Sequence, residues 1–274
     1  MSDYDRNIAA APFGRTMGQV GSVAVDEGLR AYMLRIYNYM ALGLAITGCA
    51  ALGIYMLSVT GEMSAAAKVL RAGAEVPARI GNNTFLTPIG YFLFASYMKW
   101  VVMLAPLALV FVLGFGIERM RPATAQILFW IYAGLVGVSL ATVFMVFTQT
   151  SVVRVFFITA ASFGALSLYG YTTQRDLTGM GSFLMMGLFG IILASLVNVF
   201  TQSQMFQTVI SIIGVLVFAG LTAWDTQRLK AEYLYGAMDG ETEERSAIIG
   251  ALSLYLNFIN LFTLLLQLLG QREE

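Results

Sequence analysis

Long apolar runs alternate along the chain with tight clusters of charge, and the runs organise it. Stretches without Asp, Glu, Lys or Arg cover residues 36–61, 100–117, 122–153, 155–174, 177–224 and 246–271. A helix crosses the ~30 Å hydrocarbon core of a bilayer with about 20 residues, so five of these runs predict one span each. The run 177–224 holds two, divided at the polar Thr201-Gln202-Ser203-Gln204. Seven spans are therefore predicted, near 36–59, 100–117, 123–147, 155–171, 182–200, 205–223 and 246–269. Five of the six connections are short, which predicts antiparallel neighbours in one transmembrane domain over 35–270. Residues 1–34 read as a polar tail whose last part, 26–35, forms an amphipathic lead-in, and 271–274 as a short C-terminal tail. No apolar core follows a basic start in the tail, so a cleaved signal peptide is not expected.

The first connection, 60–99, is too long for a turn. Within it, 85–94 is apolar and aromatic but too short to span. An interfacial segment and an extension of the second helix both fit this pattern.

Composition strengthens the membrane reading. The 274 residues are 58% hydrophobic and 12% charged, against about 25% charged in soluble domains. Sixteen basic and sixteen acidic residues cancel, and without a basic run there is no electrostatic footing for nucleic acid. Counting Lys and Arg by side sets the orientation. Ten of them (Arg6, Arg15, Arg30, Arg35, Arg119, Arg121, Arg175, Arg228, Lys230 and Arg245) fall on the side of the N-terminal tail and six on the other. The tail is thus expected in the cytoplasm and the C-terminus outside.

The inventory also removes chemistry. There is no His and one cysteine, Cys49, which excludes zinc clusters, His-ligated haem, Ser-His-Asp triads and Cys-His nucleophiles. An intramembrane aspartyl protease needs two carboxylates, and the spans offer one, Asp225. A retinal protein needs a Lys in the last span, and 246–271 has none. No enzyme and no cofactor is expected.

Small residues at helical spacing, Gly134, Gly137 and Ala141 in the third span and Gly187, Gly190, Ala194 and Asn198 in the fifth, read as helix packing. The last span differs. Ser246, Gly250, Ser253, Asn257, Asn260 and Gln267 fall on one face at 3.6 residues per turn. Amides along the full hydrocarbon depth cannot face lipid, so this helix is expected inside the bundle. Its stripe serves either as interhelical hydrogen bonds or as the lining of a hydrophilic path. Asp225 ends the long uncharged run. It is either an interfacial acid paired with Arg228 or Arg119, or an intramembrane carboxylate that titrates or binds a cation. The acidic Asp239, Glu241, Glu243 and Glu244 suit a solvated loop or a docking surface.

Seven spans, Trp224-Asp225-Thr226-Gln227, and the run 254–262 (Leu-Tyr-Leu-Asn-Phe-Ile-Asn-Leu-Phe) together resemble the Bax inhibitor-1 family, the transmembrane Bax-inhibitor-motif proteins, in its bacterial form. The resemblance spans about 26–270. It implies an all-α integral membrane protein with six helices surrounding a central C-terminal one, in a bacterial inner membrane. It further implies a Ca2+ leak gated by pH through two facing aspartates, or restraint of a membrane-anchored ATP-dependent protease. The first family aspartate corresponds to Asp225, a possible Ca2+ ligand; the second corresponds to Asn257. Asn cannot titrate, although its amide can donate to an ionised Asp225, so the family's shared-proton switch is not expected to operate unchanged. Ser253 and Asn260 extend the implied path. The family's arginine partner is matched to Arg119 or Arg121, with Glu118 in the same cluster.

Overall fold

A computed structural model describes residues 13–71, 74–80, 84–236 and 240–273. Arg6 and Asp239 lie outside the described residues, as do the side chains of Arg15, Asp26, Arg71 and Glu118. In chain order the elements are α1 (Phe13–Ser58), β1 (Val59–Thr60), β2 (Lys68–Arg71), β3 (Ala74–Pro77), β4 (Phe85–Leu86), α2 (Pro88–Phe94), α3 (Met98–Gly116), α4 (Pro122–Leu140), α5 (Val143–Val146), α6 (Gln149–Thr172), α7 (Thr178–Thr201), α8 (Gln204–Tyr235) and α9 (Gly240–Leu269). Seven helical segments are long and apolar enough to cross a membrane: Glu27–Ser58, Met98–Gly116, Pro122–Val146, Gln149–Thr172, Thr178–Thr201, Gln204–Tyr235 and Gly240–Leu269. All seven expected spans are there.

Helix ends differ from the charge gaps where charged residues are themselves helix formers. Residues 26–35 continue without a break into the first span as part of α1. α8 runs on to Tyr235, well past the expected end near 223, because Lys, Arg and Glu propagate a helix as well as Leu does. Residues 228–235 and 240–245, in the charged stretch between the sixth and seventh spans, are helical as parts of α8 and α9. Glu241 and Glu243 lie in the first turn of α9, where negative charge complements the helix dipole.

The long first connection is neither a helix extension nor a plain loop. β1 pairs antiparallel with β4, and β2 with β3. Thr87 then caps α2, accepting from the Gly90 N–H at 3.1 Å and donating to the Leu57 carbonyl at 2.7 Å. These strands went unforeseen because their two to four residues are too short to show alternation.

Within α3, Pro106 takes the N–H that would meet the Val102 carbonyl. Ser139 of α4 repairs the loss by donating to that carbonyl at 2.7 Å, as an apolar solvent requires.

α9 is the most buried span: 61% of its most apolar window is buried, against 39% or less in the others. Tyr255 is wholly buried, with Phe129 and Tyr132 edge-on to it at 5.7 Å, and its hydroxyl pairs with Thr47 Oγ1 at 2.7 Å. The principal neighbours of α9 are α1, α4, α6 and α8, while α3 packs on α4 and α7 on α8. α3 and α7 turn Phe111, Phe115, Phe183 and Phe189 outward, as helices against lipid do.

Candidate functional site

The site grows out of the crossing of α8 and α9. On α8, Ser211, Gly214, Leu221 and Asp225 follow one face and are buried. Asp225 is only 4% exposed. Ser253 and Asn257, four residues apart on α9, project toward it together. Asp225 Oδ2 accepts from Ser253 Oγ at 2.8 Å and from Asn257 Nδ2 at 2.7 Å. Its Oδ1 faces Arg228 Nη2 at 2.8 Å, one helical turn along α8. Three donors thus converge on a single carboxylate, as a buried charge requires.

The counter-ion is therefore Arg228. Arg119 and Arg121 are exposed at the turn between α3 and α4, and among the described residues neither pairs with Asp225. The i,i+3 spacing of Asp225 and Arg228 already carried the signal for the observed pair. Arg228 is also stacked over the Trp224 ring at 5.1 Å and stands 3.5 Å from Ser253 Oγ.

Asp225 and Arg228 wall a cavity of ≈ 540 Å³ between α7, α8 and α9. Asn260 and Thr263 carry its lining deeper along α9. Asn260 lines the cavity without touching Asp225; its amide donates to the Leu256 carbonyl at 2.8 Å.

The other motif residues hold this corner together. Trp224 lies against Gly181 of α7, so closely that no Cβ fits there. Thr226 bonds Ser167 of α6 at 2.9 Å, and Ser167 in turn bonds Tyr37 of α1. Gln227 pins the α6–α7 connection, accepting from the Leu177 N–H at 2.8 Å and donating to the Arg175 carbonyl at 2.7 Å.

The polar stripe of α9 divides accordingly. At one end Ser246 donates to Glu232 at 2.7 Å and bonds Tyr32 at 2.8 Å; at the other, Gln267 accepts from Gln207 and Ser211 at 2.7 and 2.8 Å. Both ends are interhelical bonds, and the middle lines the cavity. Tyr32, Ser167 and Tyr37 carried no sequence signal, since their partners lie 59 to 214 residues away along the chain.

Comparison with known proteins agrees with this architecture. Residues 29–274 match the family described as inhibitor of apoptosis-promoting Bax1. Uncharacterized protein RP147 of Rickettsia prowazekii is 44% identical over the whole of both chains. An uncharacterized protein of Caulobacter vibrioides is 40% identical, again over both whole chains. Inner membrane protein YbhL of Escherichia coli is 39% identical over 90% of this chain and 94% of its own. The chain is an integral membrane protein that belongs to the Bax inhibitor-1 family.

Proposed function

We propose that the protein lets cations, Ca2+ among them, leak slowly across a bacterial inner membrane along the cavity between α7, α8 and α9. The observation that carries this reading is Asp225, a buried carboxylate on the wall of a mostly apolar cavity inside a transmembrane bundle, where Arg228, Ser253, Asn257 and Asn260 supply further polar groups. Ionisable groups at that depth are costly and mark ion routes by default. Arg228 covers the carboxylate in this conformation, so an arriving cation must displace the guanidinium. Ser253, Asn257 and Asn260 can then turn oxygens toward it. Ca2+ prefers six to eight oxygen ligands, and one carboxylate with neutral oxygens makes a weak site. Weak binding suits passage rather than storage.

The test is Ca2+ flux into liposomes holding the purified chain. Asp225→Ala should lower flux roughly ten-fold or more, the loss expected when the one acid among the residues lining the path is removed. Arg228→Gln should raise it. Flux unchanged by Asp225→Ala would overturn the assignment.

The orientation that accompanies this reading places the N-terminus in the cytoplasm, on the Lys and Arg bias. The alternative role, regulation of a membrane-anchored protease through residues 1–25 and 228–245, draws less support. Glu241 is engaged by Arg245 at 2.8 Å and Glu243 by Arg35 at 3.4 Å. Deleting residues 1–25 should spare the flux; capture of such a protease that depends on this segment would shift the function to regulation.

A further inference from the structure

α1 and α6 both pack on α9, and between them lies an open groove whose wall includes the Tyr37–Ser167 hydrogen bond that joins the two helices. Two cavities line up along it. One, ≈ 510 Å³, lies between residues 30–40 of α1 and 163–171 of α6. The other, ≈ 650 Å³, lies between residues 41–52 of α1 and 149–157 of α6, with Phe258 and Phe262 of α9 on its wall. The protein leaves this space unfilled: a Cβ added at Gly48 or Gly164 would meet no atom within 4 Å. From Arg30 to Leu52 a helix rises roughly 33 Å, the depth of the hydrocarbon core. The groove therefore follows the membrane from one face toward the other.

Of the residues that line the two cavities, Arg30 alone is charged. Arg30 lines the first cavity, is exposed, and forms no ion pair among the described residues. Lys230 sits on Tyr171 of the opposite wall, its Nζ 3.0 Å from the Tyr171 carbonyl and 5.0 Å from the ring. Arg30 precedes the uncharged run of α1 by less than two turns, and Tyr171, which Lys230 of α8 contacts, lies near the end of that of α6. Both positions suit the level of lipid headgroups. Beyond them the walls are apolar, with Met33, Met40, Phe163 and Leu168 foremost.

We propose that this groove seats an anionic glycerophospholipid. Its phosphate lies at Arg30 and Lys230, and one acyl chain runs between α1 and α6 toward Gly48. A chain reaching the bilayer centre is about 15 Å long, which matches ten helical residues, the stretch from Arg30 to Met40. An acyl chain gains little by leaving lipid for an apolar groove, so selectivity must come from the headgroup. Arginine grips a phosphate with paired N–H groups. Two cations exceed the single charge of a phosphodiester, which favours a lipid of net negative charge over a zwitterionic one. The partner is thus separate from the cation cavity, which lies on the far side of α8 and α9.

Native mass spectrometry of the full chain in detergent, titrated with phosphatidylglycerol or phosphatidylcholine, tests this. The wild type should retain one phosphatidylglycerol with about ten-fold preference over phosphatidylcholine. Gly164→Leu, which fills open space, should lose the bound lipid. Arg30→Gln, an exposed change that leaves the fold alone, should erase the preference while the groove still takes a chain. Equal retention of the two lipids by the wild type would overturn the proposal, as would an undiminished preference in Arg30→Gln. Should Gly164→Leu misfold, the Arg30→Gln comparison still decides.

Discussion

Asp225 owes its position to Ser253, Asn257 and Arg228, all three of which donate to its carboxylate. Asn257 offers its amide to Oδ2 at 2.7 Å, where a second carboxylate would instead meet a like charge. Two acids at that distance share a proton and titrate as a pair. Asn257→Asp should therefore make Ca2+ flux steeply dependent on pH over a range where wild-type flux stays flat. The same steep acid closure in both proteins would show that Asn257 does not set the response. Thr226 tests the surrounding frame rather than the ion site. Thr226→Val removes its bond to Ser167 and should cost about 1 kcal/mol, read as a lower thermal midpoint in detergent. Flux through the remaining folded protein should be retained.

Elements meet here at points that tolerate no added atom. A Cβ at Gly170 of α6 would strike the Ala223 carbonyl oxygen of α8, two residues before Asp225. Gly170→Ala should force the two helices apart and destabilise by about 1–3 kcal/mol; an unchanged unfolding midpoint would show that α6 can move freely. The Gly137 Cβ position likewise lies 2.5 Å from the Thr47 carbonyl oxygen of α1, whereas Gly134 and Gly190 face open space. Spacing on a helix wheel identified the small-residue stripes, but which glycine meets a backbone depended on crossing geometry. At Pro106 the dependence is reciprocal. Ser139→Ala should leave the Val102 carbonyl without a donor in an apolar setting and cost about 1–3 kcal/mol, detectable by the same melts.

For the molecule as a whole, an odd number of spans predicts that the two ends of the transmembrane domain lie on opposite faces of the bilayer. With the orientation proposed above, a periplasmic reporter fused after Glu274 should be active and the same reporter fused at the N-terminus inactive. The reverse pattern would invert the proposed path without moving its residues. Near the C-terminus the chain is tied back onto the bundle: the Thr148 N–H donates to the Gln271 carbonyl at 2.9 Å, and the Glu273 N–H to that of Val146 at 3.0 Å. The outward face of the reporter should thus be read with a linker long enough to clear these bonds.

The chain's own pattern determined the membrane as solvent, the number of spans and the burial of the last helix. Each follows from where charge and amide groups are absent or periodic, a local property that lipid enforces on every helix separately. Helix ends were less legible, because the charges that mark a membrane boundary do not stop a helix, as α8 shows by running to Tyr235. Only the tertiary structure decided that Arg228 holds Asp225, that Ser253 and Asn257 meet it while Asn260 does not, and that α1 and α6 leave a groove between them. Those outcomes depend on the angle and depth at which helices distant in sequence cross. A single strand of residues does not contain that information until packing has chosen among the crossings it allows.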